Sequence, residues 1–316
     1  MFKEKNVLVA GGNGLIGRQL VELLVLEGAN VQVADLKKIE NSNINQVSLD
    51  LTVYDNCLKA TKDMDYVFNL LCAKGSPKSM KERPASHFVP MILFDTNLLR
   101  ASRENNVKRY MYTSTLGVYS PANIFFEEDV WKTFPSENDR FAGWAKRMGE
   151  LQTEAYEIQH GWEEICIVRP ANTYGPYDDF HSDAAMVVPS LVRKVFSNKD
   201  KITVWGDGTA VRDFIHSKDV ARGMVQVMKK CPGPRHPVNL GSGTGYSIRQ
   251  LVDAIVKCAG TDPEIFWDTS KPSGDKIRIL DTSRAKNLGI HPEMSLEDGI
   301  KDLVNWYRNN EYEKND

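Results

Sequence analysis

Short apolar runs alternate with stretches of helical periodicity through the first half of the chain. Asn6 to Ala10 reads as a short buried strand. From Gly14 to Glu27, Leu15, Ile16, Leu20, Leu23 and Leu24 recur at helical spacing, which marks an amphipathic helix. Asn30 to Ala34 is a second strand and ends at Asp35. The same pattern places strands at 44–49, 65–71, 108–113 and 164–168, and helices near 52–61, 88–105 and 141–160. Strand followed by helix, repeated, predicts an α/β fold: a doubly wound parallel sheet covered by helices on both faces.

After Arg169-Pro170 the texture changes. Gly, Pro, Asp and Tyr cluster up to Pro189. Short strands (202–205, 212–215, 236–240, 264–267) then mix with helices (217–229, 247–258, 295–308). Residues 1–170 are therefore expected to form the first domain, with segments near 217–245 returning to it. Residues 171–316 would form a smaller, mixed α/β lobe. A chain of 316 residues buries roughly three-quarters of its unfolded surface, so its core calls for no metal ion or disulfide. With 40 basic and 42 acidic residues the formal charge is −2, which offers no electrostatic attraction to nucleic acid or to a membrane surface. The five cysteines include no CxxC and read as reduced thiols of a cytoplasmic protein. The first strand starts too early to leave room for a signal peptide, and no apolar run approaches the roughly 18 residues of a membrane helix.

The first strand runs into Gly11-Gly12-Asn13-Gly14-Leu15-Ile16-Gly17. Gly11 permits the tight turn, Gly14 lets the backbone approach a pyrophosphate, and Gly17 lets the helix pack closely on the sheet. The following helix offers its amino end, with free N–H groups and a favourable dipole, to an anion. The strand before the turn, the helix after it and the acid at the end of the second strand are the context that a dinucleotide site requires. Asp35 would accept hydrogen bonds from the adenosine ribose and repel a 2′-phosphate, which favours NAD over NADP. Asp50-Leu51 could bracket the adenine, although an acid there also fits an exposed helix cap.

The three glycines spaced by two residues resemble the extended short-chain dehydrogenase/reductase family, which contains nucleotide-sugar epimerases, dehydratases and reductases. Further blocks agree: Tyr112-Thr113-Ser114-Thr115 with Val118-Tyr119, Arg169-Pro170-Ala171-Asn172-Thr173-Tyr174-Gly175-Pro176, and Val238-Asn239-Leu240-Gly241-Ser242-Gly243. Tyr177-Asp178-Asp179-Phe180-His181, Val187-Val188-Pro189, Val204-Trp205-Gly206-Asp207-Gly208-Thr209 and Arg212-Asp213-Phe214-Ile215-His216 are similar to the GDP-fucose-synthase-like subgroup, as is Cys72-Ala73-Lys74-Gly75. The resemblance spans about residues 6 to 310 and implies a Rossmann domain with a sugar-nucleotide lobe. It implies NAD contacts at Gly11, Asn13, Gly14, Leu15, Ile16, Gly17, Asp35, Asp50, Leu51, Leu71, Ala73, Lys146 and Arg169. It implies a GDP-sugar near Lys74, Thr115, Asn172, Val188, Arg193, Trp205, Arg212 and Arg278. The three arginines suit a diphosphate because a cationic fork matches phosphate oxygens; each equally fits a surface salt bridge. Trp205 would pack on the guanosine, unless it is a core tryptophan. The helices near 88–105 and 141–160 correspond to those that pair in the family's homodimers, so a homodimer or higher homo-oligomer is implied.

The family's chemistry uses a Ser/Thr, a Tyr and a Lys, the last two as YxxxK. Thr115 and Lys146 occupy their positions, but the residue four before Lys146 is Ala142, and no tyrosine lies between Tyr119 and Tyr156. Loss of a positioned base typically costs about 10²–10⁴ in rate. Another proton acceptor, an engineered inactive variant and a binding protein without chemistry would each account for the alanine. Lys146 through an ordered water, His181, with the suitable pKa range, and Tyr177 are the candidate replacements. Gly117 stands where the subgroup's epimerases carry cysteine, and Leu116-Gly117 where the dehydratases carry Asp-Glu. The resemblance thus leaves hydride transfer from a sugar carbinol to NAD, as in the C4 dehydrogenases of GDP-heptose in bacterial capsule synthesis. A 4-epimerase and a non-catalytic NAD- and nucleotide-sugar-binding protein are the alternatives.

Overall fold

The computed structural model describes residues 1–39, 44–73, 75, 80, 82–182, 185–198, 200–271 and 274–312. In chain order it begins β1 (Asn6–Ala10), α1 (Leu15–Leu26), β2 (Asn30–Asp35), β3 (Asn45–Ser48), α2 (Tyr54–Thr61), β4 (Tyr66–Asn69), α3 (Ala85–Glu104), β5 (Arg109–Thr113), β6 (Ile124–Phe125), α4 (Arg140–His160) and β7 (Ile165–Pro170). It continues β8 (Asn172–Tyr174), α5 (Val187–Ser197), β9 (Lys201–Trp205), β10 (Val211–His216), α6 (Ser217–Lys230), β11 (Val238–Leu240) and β12 (Gly245–Ser247). The last elements are α7 (Ile248–Ala259), β13 (Glu264–Asp268), β14 (Ile277–Leu280), α8 (Ser283–Asn287) and α9 (Leu296–Tyr307).

Among the described residues, seven strands form one parallel sheet in the order β11-β7-β5-β4-β1-β2-β3. The central strands are apolar on both faces. Val7 and Val9 of β1 pack on one side with Leu20 and Leu24 of α1 and Met224 of α6. Leu8 and Ala10 pack on the other with residues of α2, α3 and α4. This is the α/β doubly wound architecture that the alternating pattern predicts. A second core, built on Leu191, Val195, Leu251, Ile255, Ile300 and Leu303, joins α5, α7 and α9. Beside it, β10 pairs with β8, β12 and β14, and β9 with β13. No helix among the described residues is long and apolar enough to cross a membrane.

Several elements differ from the sequence expectation. Helix α5 begins at Val187-Val188-Pro189, where the sequence pattern placed no element. A proline in the first helical turn is tolerated because its missing N–H has no intrahelical partner there. Strands β6, β8, β12 and β14, of two to four residues, were also unexpected. Their pairings are to strands far away in the chain, so local pattern carries no signal for them.

The buried side chain of His216 marks the joint between β10 and α6. Its Nδ1 accepts a hydrogen bond from the Lys218 N–H, capping the helix, and its ring stands edge-on to Tyr174. Asp302 Oδ2 lies 3.3 Å from Nε2. Asp302 and Asp219 favour the imidazolium, while burial, Lys218 and Arg222 oppose it, and burial dominates, pushing the pKa down to about 4. The unfolded chain takes up a proton near pH 6.5 that the folded chain refuses. Stability contributed by neutral His216 is therefore complete above about pH 6.5 and is lost as pH falls toward about 4, at up to about 1.4 kcal/mol per pH unit. In urea denaturation, His216→Asn, which retains a capping oxygen, should flatten this acid-side slope; an unchanged slope would refute the assignment.

Candidate active site

The strand order reverses at β1, which has β2 on one flank and β4 on the other. A crevice at the carboxyl ends of parallel strands opens at such a point, and the glycine turn lies there. Gly11 has φ +77°, and a Cβ on it would lie 3.2 Å from the Leu70 carbonyl. A Cβ on Gly17 would lie 2.6 Å from the Gly11 oxygen and the Gly12 Cα. Backbone geometry thus requires both glycines. Gly14 differs: a Cβ there meets only the Gly11 oxygen, at an ordinary 3.5 Å. Gly14 is exposed, caps α1 without a side chain, and precedes a first turn with no acidic residue. The fold does not need a glycine here. An anion approaching the helix end would, and the pyrophosphate of a dinucleotide is of the kind such a turn could take.

Leu15 is buried and Ile16 half-buried, so it is their backbone N–H groups that would face the phosphates. The Asn13 side chain donates to the Lys37 carbonyl at 2.6 Å and to Gln46 Oε1, and its N–H donates to Asp35 Oδ2 at 3.2 Å. Asp35 also accepts from the Leu36 N–H, which fixes the carboxylate at the rim of the turn. Asp50 is exposed and accepts from the Thr52 N–H and hydroxyl. It closes the turn into α2, while Leu51 is core.

On the β4 side, Lys146 Nζ donates to the Leu71 carbonyl at 3.0 Å and lies 3.3 Å from Asp95 Oδ2. Leu71 and Ala73 lie beyond the end of β4, and the Ala73 carbonyl is 3.3 Å from His87 Nδ1. Asp95 also accepts from Tyr112 Oη and Asn69 Nδ2, each at 2.8 Å. Burial raises the Asp95 carboxyl above its usual range despite Lys146 and these donors. Burial, reinforced by Asp95, holds the Tyr112 phenol far above its usual range, so Tyr112 remains a donor. Sequence reasoning missed Asp95, Tyr112 and Asn69; the available signal was an acid within the apolar run of α3.

Thr115 Oγ1 accepts from the Gly117 N–H and caps the turn Leu116–Val118. The start of α4 presses on that turn: a Cβ on Gly143 would meet the Gly117 oxygen at 2.4 Å. Half-buried Ala142 lies beside this contact in sequence, one helical turn before Lys146. A Cβ on Gly117 would stand 3.3 Å from Asp139.

Other expected residues have different surroundings. Arg169, expected at the cofactor, has no exposed side-chain surface. Its guanidinium donates to both Glu150 oxygens, Tyr119 Oη and the Glu127 carbonyl; it is a structural bridge. His181 is exposed, with Nε2 3.1 Å from Glu311 Oε2. Tyr177 packs on Arg18 and Trp306. Val188 belongs to the second core, and Asn172 Nδ2 donates to the Asp213 carbonyl. Trp205 is 57% exposed, which overturns a core role: alternation along β9 turns Ile202 and Val204 inward. Lys74 lies outside the described residues.

Arg212 and Arg278 are neighbours in the β10–β14 register. Arg278 pairs with Asp139 and, at 3.0 Å, with Asp275. Burial and the Arg278 charge both disfavour the Arg212 cation, a repulsion that an anion would relieve. Arg193, on α5, donates to the His181 carbonyl at 3.2 Å.

The glycine geometry separates folding from binding. Gly14→Ala should leave the thermal midpoint of the cofactor-free protein within about 2 °C, because such surface changes cost within about 0.5 kcal/mol, while weakening NADH binding more than about tenfold. Gly17→Ala should lower the midpoint itself. Thermal melts with fluorescence titration of NADH test both, and tight binding by Gly14→Ala would refute the cradle.

Comparison with known proteins gives the family. Residues 7–241 match the model of the NAD dependent epimerase/dehydratase family. GDP-L-fucose synthase 1 of Arabidopsis thaliana is 30% identical over 317 residues, covering 98% of this chain and 94% of the relative. The crystal structure of UDP-glucose 4-epimerase from Thermotoga maritima with UDP-glucose superposes with a TM-score of 0.84 at 28% identity, covering 96% of this chain and 99% of the other. A GDP-mannoheptose C4 reductase from Campylobacter jejuni with NADP bound gives 0.83 at 25% identity, covering 98% and 99%. From its phosphate turn through β11, this chain belongs to the NAD dependent epimerase/dehydratase family.

Proposed function

We propose that this protein oxidises a GDP-linked sugar, a heptose, at C4 with NAD, giving the 4-keto sugar without the family's tyrosine. The observation that carries the reading is the combination at the start of α4: Thr115 and Lys146 are retained and ordered, whereas Ala142 and Gly117 carry no group able to move a proton. Hydride removal is the chemistry that such a reduced set still supports. GDP-L-fucose synthases among the relatives and a GDP-mannoheptose C4 reductase among the structural neighbours support the sugar nucleotide. Asp35 supports NAD, because its carboxylate would repel a 2′-phosphate.

A nicotinamide bound in this crevice would supply the acceptor for the C4 hydride. Thr115 orients the C4 hydroxyl. Its proton leaves through a water beside Ala142 to the Lys146–Asp95 pair, where burial has raised the proton affinity of Asp95. Arg212 and Arg278, aided by Arg193, hold the diphosphate, and exposed Trp205 offers a face to the guanine. The outward faces of α3 and α4 carry exposed Val89, Leu93, Phe141, Met148 and Leu151, which supports a homodimer through these helices.

Mixing the protein with NAD and GDP-heptose should produce the reduced-nicotinamide absorbance and a 4-keto product. GDP-sugar binding without that absorbance would instead establish a binding protein. Ala142→Tyr should raise the oxidation rate, by up to the about 10²–10⁴ of a positioned base and by at least about tenfold. An unchanged or lower rate would refute the missing-base account.

A further inference from the structure

We propose that Arg18 and Tyr177 form a clasp between the two lobes that retains the dinucleotide at its phosphate end. The argument starts from the position of Arg18. It lies in the first turn of α1, where its own N–H donates to the Gly14 carbonyl. A cation at a helix amino end opposes the dipole, whereas an anion there is favoured. The side chain does not turn away into solvent: Nε donates to the Asn13 carbonyl at 3.2 Å, tying the guanidinium to the phosphate turn. No hydrogen bond from its terminal nitrogens is present among the described residues. A fork of free donors fixed beside an open glycine cradle suits a phosphate oxygen.

The second half of the clasp comes from the other lobe. The Tyr177 ring covers the Arg18 guanidinium, 4.4 Å from the ring centroid. Tyr177 is in the left-handed region, with φ +71°, and its opposite contact is Trp306 on α9, with ring centroids 5.1 Å apart. Trp306 in turn stacks on Phe180 and packs against the second core. The aromatic column therefore anchors Tyr177 in the second lobe while its face rests on a cation of the first. Covering one face of the guanidinium desolvates it and limits its swing, which strengthens both the cation–π contact and any charge-assisted bond to phosphate. Release of the dinucleotide must then part the ring from Arg18. The inference rests on the dinucleotide half of the proposed function and is independent of sugar oxidation.

The test is the release of NADH from the holoenzyme, followed by stopped-flow loss of tryptophan-to-NADH energy transfer on mixing with excess NAD. Tyr177→Leu should accelerate release about tenfold, the scale of a desolvated cation–π contact, and Tyr177→Phe should stay within about twofold. Arg18→Gln should accelerate release as well. The double variant Arg18→Gln/Tyr177→Leu should release no faster than Arg18→Gln alone, since both changes remove the same clasp. Wild-type release from Tyr177→Leu, or full multiplicative effects in the double variant, would overturn the proposal. So would a wild-type protein that binds neither NADH nor NADPH. Melting of each cofactor-free variant separates a folding defect from loss of the clasp, and Arg18→Gln remains informative where Tyr177→Leu is unstable. Failure of sugar oxidation leaves the release rate readable, so the two readings fail separately.

Discussion

The site depends on one buried ion pair. Arg169 at the end of β7 and Glu150 in the middle of α4 meet through two hydrogen bonds, with almost no exposed side-chain surface on either. Removing one member of such a pair costs about 3–5 kcal/mol, because the other charge is left buried alone. Its reach exceeds the pair. Ser114 Oγ donates to the same Glu150 carboxylate, which pins the chain just before Thr115. Arg169 also holds Tyr119 Oη, which donates to Asn239 on β11. The helix carrying Ala142 and Lys146, the turn carrying Thr115 and the edge strand of the sheet are therefore held by one charge centre.

A second polar centre lies one helical turn earlier on the same buried face of α4. Lys146 faces inward to Asp95 and the Leu71 carbonyl, and Asp95 collects donors from β4 and β5. Lys146 thus carries a fixed charge relation to the sheet whether or not a tyrosine stands at position 142. In an enzyme with the tyrosine, a lysine can act by tuning its neighbour. Here the lysine, one helical turn after position 142, and the carboxylate behind it form a buried proton-holding pair. The remaining polar atoms of the centre have partners, so its geometry is preorganised rather than assembled on binding.

Much of this was legible from the sequence, for identifiable reasons. The glycine turn, the alternating strands and the long helices are local features with strong periodicity, and they were read close to their observed limits. The short strands around β10 were not, because each is defined by a partner far along the chain. Helix α5 was hidden by its opening valines and proline. Arg169 was read as a ligand contact because a charged residue in a matching motif invites that role; its buried partner Glu150 is nineteen positions earlier, on a different element. Asp95 and Tyr112 were not read as site residues: the acid stands out in α3, but nothing local indicates that the two converge on Lys146. Three-dimensional convergence of isolated polar residues is what a one-dimensional pattern lacks.

The crowding at Gly117 bears on which side chains position 117 can accept. A side chain at 117 would press on Asp139, which is itself paired with Arg278 of the second lobe. A larger side chain there is therefore a coupled change: Asp139 must give way slightly, and Asp139 is the ion-pair partner of Arg278. Gly143 packs closely on the Gly117 carbonyl, so α4 and this turn already meet without spare room. A substitution at 117 is thus felt at Arg278, on β14, as well as in the turn that carries Thr115.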